Sequence, residues 1–160
     1  MSVLSRTLLF VVVVHGFFLA ALPWALLASG LRFFAFPSIP LWAAVPPAAA
    51  GLWLYAVTVR DFVSVGKGTP AAWDPPARFV RSNGYRWTRN PMYVGMFLTL
   101  SAEALFFRSS ALVVYLAVLW FTFHLFVIGH EEPSLRKKFG ADYENYLNEV
   151  PRWFGRPGRK

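Results

Sequence analysis

The chain has 160 residues, 56% of them hydrophobic and only 15% charged, with a mean hydropathy of +0.44. Soluble domains average about 25% charged residues, so this balance points to lipid and excludes disorder, which needs the reverse. The absence of cysteine excludes disulfide frameworks, thiolate metal sites and iron–sulfur clusters, and a net charge of +8 favours anionic lipids or anionic ligands over cations.

Four apolar runs follow in order, each near the roughly 20 residues that cross a bilayer. Leu8 to Leu31 is uncharged and contains Pro23; Ile39 to Val59 is uncharged, with Pro46 and Pro47 near its middle. Met92 to Phe107 is shorter and interrupted by Glu103, and Ala111 to Gly129 carries His124. Prolines inside such runs are tolerated when neighbouring helices take up the freed carbonyls. The first run also has features of a signal peptide, Arg6 ahead and Ala28-Ser29-Gly30 behind, but it exceeds the usual apolar stretch of about 7–15 residues. The predicted fold is all-α: one membrane domain over residues 1–160, a bundle of four transmembrane helices.

Charge sets the expected orientation. Residues 60–91 carry Arg60, Lys67, Arg78, Arg81, Arg86 and Arg89, and residues 131–160 carry seven more basic residues. Arg32 and Arg108 are the only ones on the other side. The positive-inside rule then puts both termini and the middle loop in the cytoplasm, which in a bacterium means the inner membrane. Arg108-Ser109-Ser110 is so short a connection that the third and fourth helices must form an antiparallel hairpin. Gly66-Lys67-Gly68-Thr69-Pro70 and Asp74-Pro75-Pro76 read as turns.

Two clusters near the cytoplasmic face could carry chemistry. The first runs from Asn83 to Gly95 and includes Tyr85, Arg89, Asn90, Pro91 and Tyr93. Pro91 fits the first turn of a helix, whose free N–H groups form a positive pole suited to a carboxylate or phosphate. Gly95 lets a second backbone or a flat ligand approach closely. The same Arg, Trp and Tyr residues also compose an ordinary interfacial belt. The second cluster is His130-Glu131-Glu132-Pro133. Adjacent acids at a helix C-terminus oppose the helix dipole and call for a compensating cation. Pro133 is expected to start a new amphipathic helix, with Leu135, Phe139, Tyr143 and Tyr146 on one face, lying on the membrane surface.

Glu103 and His124 are polar residues at membrane depth, each either a structural hydrogen bond or part of a pocket. In regular helices Tyr93, Met96, Leu100 and Glu103 share a face, as do His124 and Glu131. His15 is a lone polar residue in the first run and receives no role. The three histidines are scattered, which argues against a metal site. There is no glycine-rich dinucleotide fingerprint, and nothing recommends nucleic acid as a partner.

Taken together, Arg89-Asn90-Pro91-Met92-Tyr93-x-Gly95, then Glu131-Glu132-Pro133-x-Leu135-x-x-x-Phe139-Gly140-x-x-Tyr143-x-x-Tyr146 and Val150-Pro151-Arg152, resemble the isoprenylcysteine carboxyl methyltransferase and phospholipid methyltransferase superfamily. The resemblance covers about residues 66–157, and the first two helices match only as apolar spans. It implies an integral membrane enzyme that uses S-adenosylmethionine in a helical site at the cytoplasmic face. By resemblance, Tyr85, Arg89, Asn90, Pro91, Tyr93 and Gly95 belong to the cofactor site, joined by Glu103 and His124. Glu131 and Glu132 would face the cofactor's cationic part or brace Arg89 and Arg152. Family members usually read Gly-Pro-Tyr where this chain has Asn83-Gly84-Tyr85, which puts that turn in question. The acceptor implied is a lipidic or prenylated amphiphile drawn from among the membrane lipids. A membrane lipid or steroid reductase using NADPH, and a small membrane scaffold without catalysis, are the alternatives.

Overall fold

A computed structural model of the protein describes residues 2–66 and 80–154, which are helical with short connections. Both turns expected in the middle loop, apart from Gly66, lie outside the described residues, as do Lys67, Arg78, Arg156, Arg159 and Lys160. Among the described residues, three helices are long and apolar enough to cross a membrane: α1 (Leu4–Ala28), α2 (Leu41–Gly66) and, after α3, α4 (Ser110–Phe139). The third apolar run forms α3 (Pro91–Phe106), of 16 residues, or about 24 Å at 1.5 Å per residue. That is short of the roughly 30 Å hydrocarbon core. The four expected spans are thus three helices of spanning length and one shorter helix packed among them.

The prolines explain several boundaries. Pro46 and Pro47 sit in the first α-helical turns of α2, just after the 3₁₀ turn Leu41–Ala44, and not in mid-helix. Pro23 does lie inside a continuous helix, directly after a π turn at Phe17–Ala21. The Tyr115 hydroxyl of α4 donates to the Phe18 carbonyl at 3.0 Å, so a neighbouring helix takes up a carbonyl in the turn that the proline disrupts. Pro133 likewise does not begin a separate helix. A π turn at Val127–Glu131 widens the backbone just ahead of its ring, and α4 continues to Phe139. The break comes at Gly140, whose φ of +54° favours glycine, and α5 (Ala141–Glu149) follows. The single amphipathic helix expected here is therefore two pieces with a bend between them.

The closest crossing is α2 on α3. A Cβ at Gly51 would lie 2.8 Å from the Gly95 carbonyl oxygen and 2.9 Å from the Thr99 backbone nitrogen. A Cβ at Gly95 would lie 3.0 Å from the Gly51 oxygen. These two glycines bring the backbones together as small residues do in membrane helix pairs. Because the obstructing atoms are backbone, Gly51→Ala must push the helices apart. We expect it to destabilise the protein by about 1–3 kcal/mol, seen as a lower thermal midpoint in detergent; an unchanged midpoint would contradict this packing.

At the far end of the bundle, Ser109 caps α4, and the Ser110 hydroxyl accepts from the Phe33 amide at 2.9 Å. The α3–α4 connection is the tight antiparallel hairpin expected from Arg108-Ser109-Ser110, with Arg108 in left-handed backbone. Met96, Leu100 and Leu119 form the apolar core, with Phe18, Phe97, Tyr115 and Phe123 packed around it.

Candidate active site

The site begins at the turn leading into α3. Asn83 takes a left-handed φ of +46°, and its side-chain amide donates to Asp61 Oδ1 at 2.7 Å. Asp61, at the end of the α-helical part of α2, is buried, so this contact pins the turn to that helix. A Cβ at Gly84 would meet Pro91 at 2.8 Å and Leu54 at 2.9 Å, which leaves room there only for glycine. The departure at Asn83-Gly84 from the Gly-Pro-Tyr pattern thus comes with its own anchoring. Tyr85 packs its ring edge-on against Phe62, and its carbonyl accepts from the Tyr146 hydroxyl at 2.7 Å.

The tail after α5 returns across the same end as a strap. The Arg89 amide donates to the Pro151 carbonyl at 2.9 Å. The Thr88 hydroxyl and the Asn90 side-chain amide both donate to the Arg152 carbonyl, each at 2.9 Å. Glu132 takes two cations at once: Arg89 Nη1 on Oε1 at 2.9 Å, and Arg152 through Nε at 2.7 Å and Nη2 at 3.0 Å. These charges compensate a carboxylate that is buried; it does not sit at a helix C-terminus as expected, because α4 continues past it to Phe139. The hydrogen bonds to Glu132 raise the pKa of Arg152. Trp153 continues the strap, donating from Nε1 to His124 Nδ1 at 2.9 Å and packing against Tyr93 and Phe97.

Between α1, α3, α4 and α5 lies a cavity of about 310 Å³, at the lower end of the range for small-molecule sites. Tyr85, Arg89, Asn90, Tyr93, Glu131 and Glu132 all line it. Leu135, Phe139, Tyr143 and Tyr146 line it too, so the amphipathic face expected on the membrane surface turns inward. Glu131 accepts from the Tyr93 hydroxyl at 3.2 Å, and no salt bridge holds it among the described residues. Arg89 Nε is buried with no hydrogen-bond partner. Burial, and then the Glu131 charge, push the Tyr85 hydroxyl well above its ordinary pKa; burial does the same for Tyr143 and Tyr146. All three stay neutral at physiological pH.

Other expected site residues stand elsewhere. Pro91 is buried at the start of α3, Gly95 faces α2, and Arg152 stands behind Glu132; none of these lines the cavity. His124 stacks on Trp120 at 5.1 Å, is capped by Trp153, and does not line the cavity. Its spacing of seven from Glu131 would align the two in a regular α-helix, but the π turn at Val127–Glu131 shifts the register between them. Glu103 opens onto a separate groove with Gly16, Pro23 and Phe107, toward the other end of α3. The shared pocket expected for Glu103 and His124 is absent from this arrangement.

Sequence reasoning passed over His15, Phe62 and Lys138, which line the cavity, and the Asp61 anchor. The structure supplies a common cause for several of these positions. Each of the four π turns among the described residues contributes to the wall: Val14 and His15; Phe18; Phe62; and Val127, His130 and Glu131. Such turns are rare and recur at functional sites, and no simple periodicity reveals them.

The model of a protein family described as phospholipid methyltransferase matches residues 42–142. The match reaches back through α2, further than the motifs alone suggested, and leaves α1 and the strap outside. No curated protein and no solved structure matches the chain. Well over half of the chain is covered, and it belongs to the phospholipid methyltransferase family, within the superfamily of integral membrane methyltransferases.

Proposed function

We propose that this member of the phospholipid methyltransferase family transfers a methyl group from S-adenosylmethionine to the polar head of an amphiphilic lipid, on the cytoplasmic side of the membrane. The observation that carries this is a carboxylate and a guanidinium N–H, both short of partners, facing one cavity: Glu131 and Arg89 Nε. S-adenosylmethionine bears an ammonium, a sulfonium and a carboxylate. Glu131 suits the cations, Arg89 suits the carboxylate, and tyrosine faces can stabilise a sulfonium. The residues therefore fit the cofactor. When bound, it supplies an electrophilic methyl group.

The remaining chemistry belongs to the chain. Glu132 is the brace of this arrangement: its two arginines hold the strap on α3, and its grip fixes the Arg89 side chain. The Tyr93 hydroxyl orients Glu131. The lining tyrosines and apolar side chains limit water in the cavity, which matters because positioning and desolvation supply most of the acceleration in a displacement. Phe10, Val14, Phe18, Met96, Phe123 and Phe126 make the inner walls apolar, as a lipid acceptor requires. The basic residues Arg60, Arg81, Arg86, Arg136 and Lys137 lie in the segments at this same end, which supports the cytoplasmic orientation.

Purified protein incubated with methyl-labelled S-adenosylmethionine and a membrane lipid extract should move label into the organic phase. A base-labile product indicates an ester on a prenylated or fatty carboxylate, and a stable one an N-methyl group. No label in lipid, together with a thermal shift on adding NADPH but none with S-adenosylhomocysteine, would overturn the proposal in favour of a reductase.

A further inference from the structure

We infer that His15, on the wall supplied by α1, is the base that takes the proton from the acceptor's head group, so that the acceptor atom is a nitrogen. This rests on the methyltransferase reading above. His15 is 6% exposed, lines the cavity, and its Nδ1 is buried with no hydrogen-bond partner. Its neighbours on α1 in that wall are Phe10, Val14 and Phe18. An ionisable residue at membrane depth, unpartnered and facing a cavity, is costly unless it serves something that enters the cavity.

The other candidates for this role are already engaged. Glu132 is saturated by two arginines, and Glu131 faces the cofactor's cations in the proposed site. His124 is capped by Trp153 and does not line the cavity. His130 is exposed and stacks on Phe126, where water would compete. The ring of His15 meets Tyr55 of α2 edge-on at 5.0 Å, and His15 and Glu131 line the one cavity from different walls. The π turn Val11–His15 ends on this residue, a placement common at functional sites.

The step balances without further reactants. An ammonium head gives one proton to the imidazole, and the N–H electron pair stays on nitrogen. That nitrogen forms the new N–C bond as the C–S bond breaks, its pair leaving on sulfur. A carboxylate acceptor would need no base, so His15 gives the site a preference. The charged and titratable groups that line the cavity with His15 are Tyr85, Arg89 and Tyr93, His130, Glu131, Glu132 and Lys138 of α4, and Tyr143 and Tyr146 of α5, while Tyr55 of α2 touches its ring.

The test compares wild type with His15→Phe and His15→Gln. Without cofactor, wild type should bind lysophosphatidylethanolamine about tenfold more tightly than lysophosphatidylcholine, which has no N–H to donate, as expected for one hydrogen bond to a charged group. His15→Phe should lose that preference while keeping its affinity for S-adenosylhomocysteine and its thermal midpoint. In turnover, His15→Gln should drop kcat by about 10²-fold or more. A His15→Phe variant that keeps both the preference and the rate would overturn the inference. So would a base-labile ester as the wild-type product, which would leave the methyltransferase reading intact. Wild type that neither binds S-adenosylhomocysteine nor labels any lipid would instead remove the underlying reading.

Discussion

Glu132→Ala is expected to lower the unfolding midpoint in detergent more than loss of either arginine that it holds. The Glu132 side chain is 6% exposed, against 14% for Arg89 and 31% for Arg152. Removing it leaves two guanidinium groups without their acceptor, one of them largely withdrawn from water. Breaking a buried ion pair from one side costs about 3–5 kcal/mol, because the remaining charge is stranded. The strap makes the loss cooperative. Arg152 presents its carbonyl to Thr88 and Asn90, so a displaced Arg152 loosens the entry to α3 as well. Arg152→Ala should cost less, since its partner Glu132 keeps Arg89. Glu132→Gln should fall between, retaining an acceptor oxygen without the charge. The order Glu132→Ala, Arg89→Ala, Arg152→Ala in falling severity can be read from thermal unfolding in one detergent. A Glu132→Ala protein that melts with wild type would show that the clamp contributes little.

The clamp also marks where sequence reasoning succeeds and where it stops. The adjacent acids called for a cation, and the family resemblance offered Arg89 and Arg152 as one of two partners for them; the helix-end reason for that need fails, because α4 continues to Phe139 and it is burial of Glu132 that requires the pairing. The meeting of Arg89, Tyr93 and Glu131 on one cavity follows from the Arg108-Ser109-Ser110 hairpin, because a short turn forces α3 and α4 to run side by side. All-helical architecture was legible from the apolar runs. Helix ends were not: α4 runs about ten residues beyond Gly129, since a π turn lets the helix absorb Pro133.

Side-chain direction was the weaker reading, for the same reason. Assigning faces by 3.6-residue spacing assumes an unbroken α-helix. Glu131 and His124 depart from that assumption across Val127–Glu131, and His15 ends a similar turn. Gly95 illustrates a different ambiguity. A glycine on a helix permits close approach, but the sequence does not say what approaches; here it is the backbone of α2 at Gly51. The Asn83–Asp61 and Trp153–His124 contacts join residues 22 and 29 positions apart, and no local pattern signals such pairings.

Glu131→Gln is the substitution expected to affect cofactor binding most, and it can also tell which cation Glu131 faces. Glutamine keeps the shape and still accepts from the Tyr93 hydroxyl, so the cavity wall should stay in place. Only the negative charge is lost. A hydrogen bond to a charged group contributes about 1.5–3 kcal/mol, and a loss of 2–3 kcal/mol weakens binding by roughly 30- to 150-fold. S-adenosylmethionine and S-adenosylhomocysteine share the ammonium and differ at sulfur, which is charged only in the former. If Glu131 faces the ammonium, both ligands should weaken together in the variant. If it faces the sulfonium, only S-adenosylmethionine should weaken, and the variant should lose preference for it over the product. Titration calorimetry with both ligands on the detergent-solubilised protein separates these outcomes. Unchanged affinity for both would remove Glu131 from the cofactor site and, with it, the main electrostatic reason for placing the cofactor in this cavity.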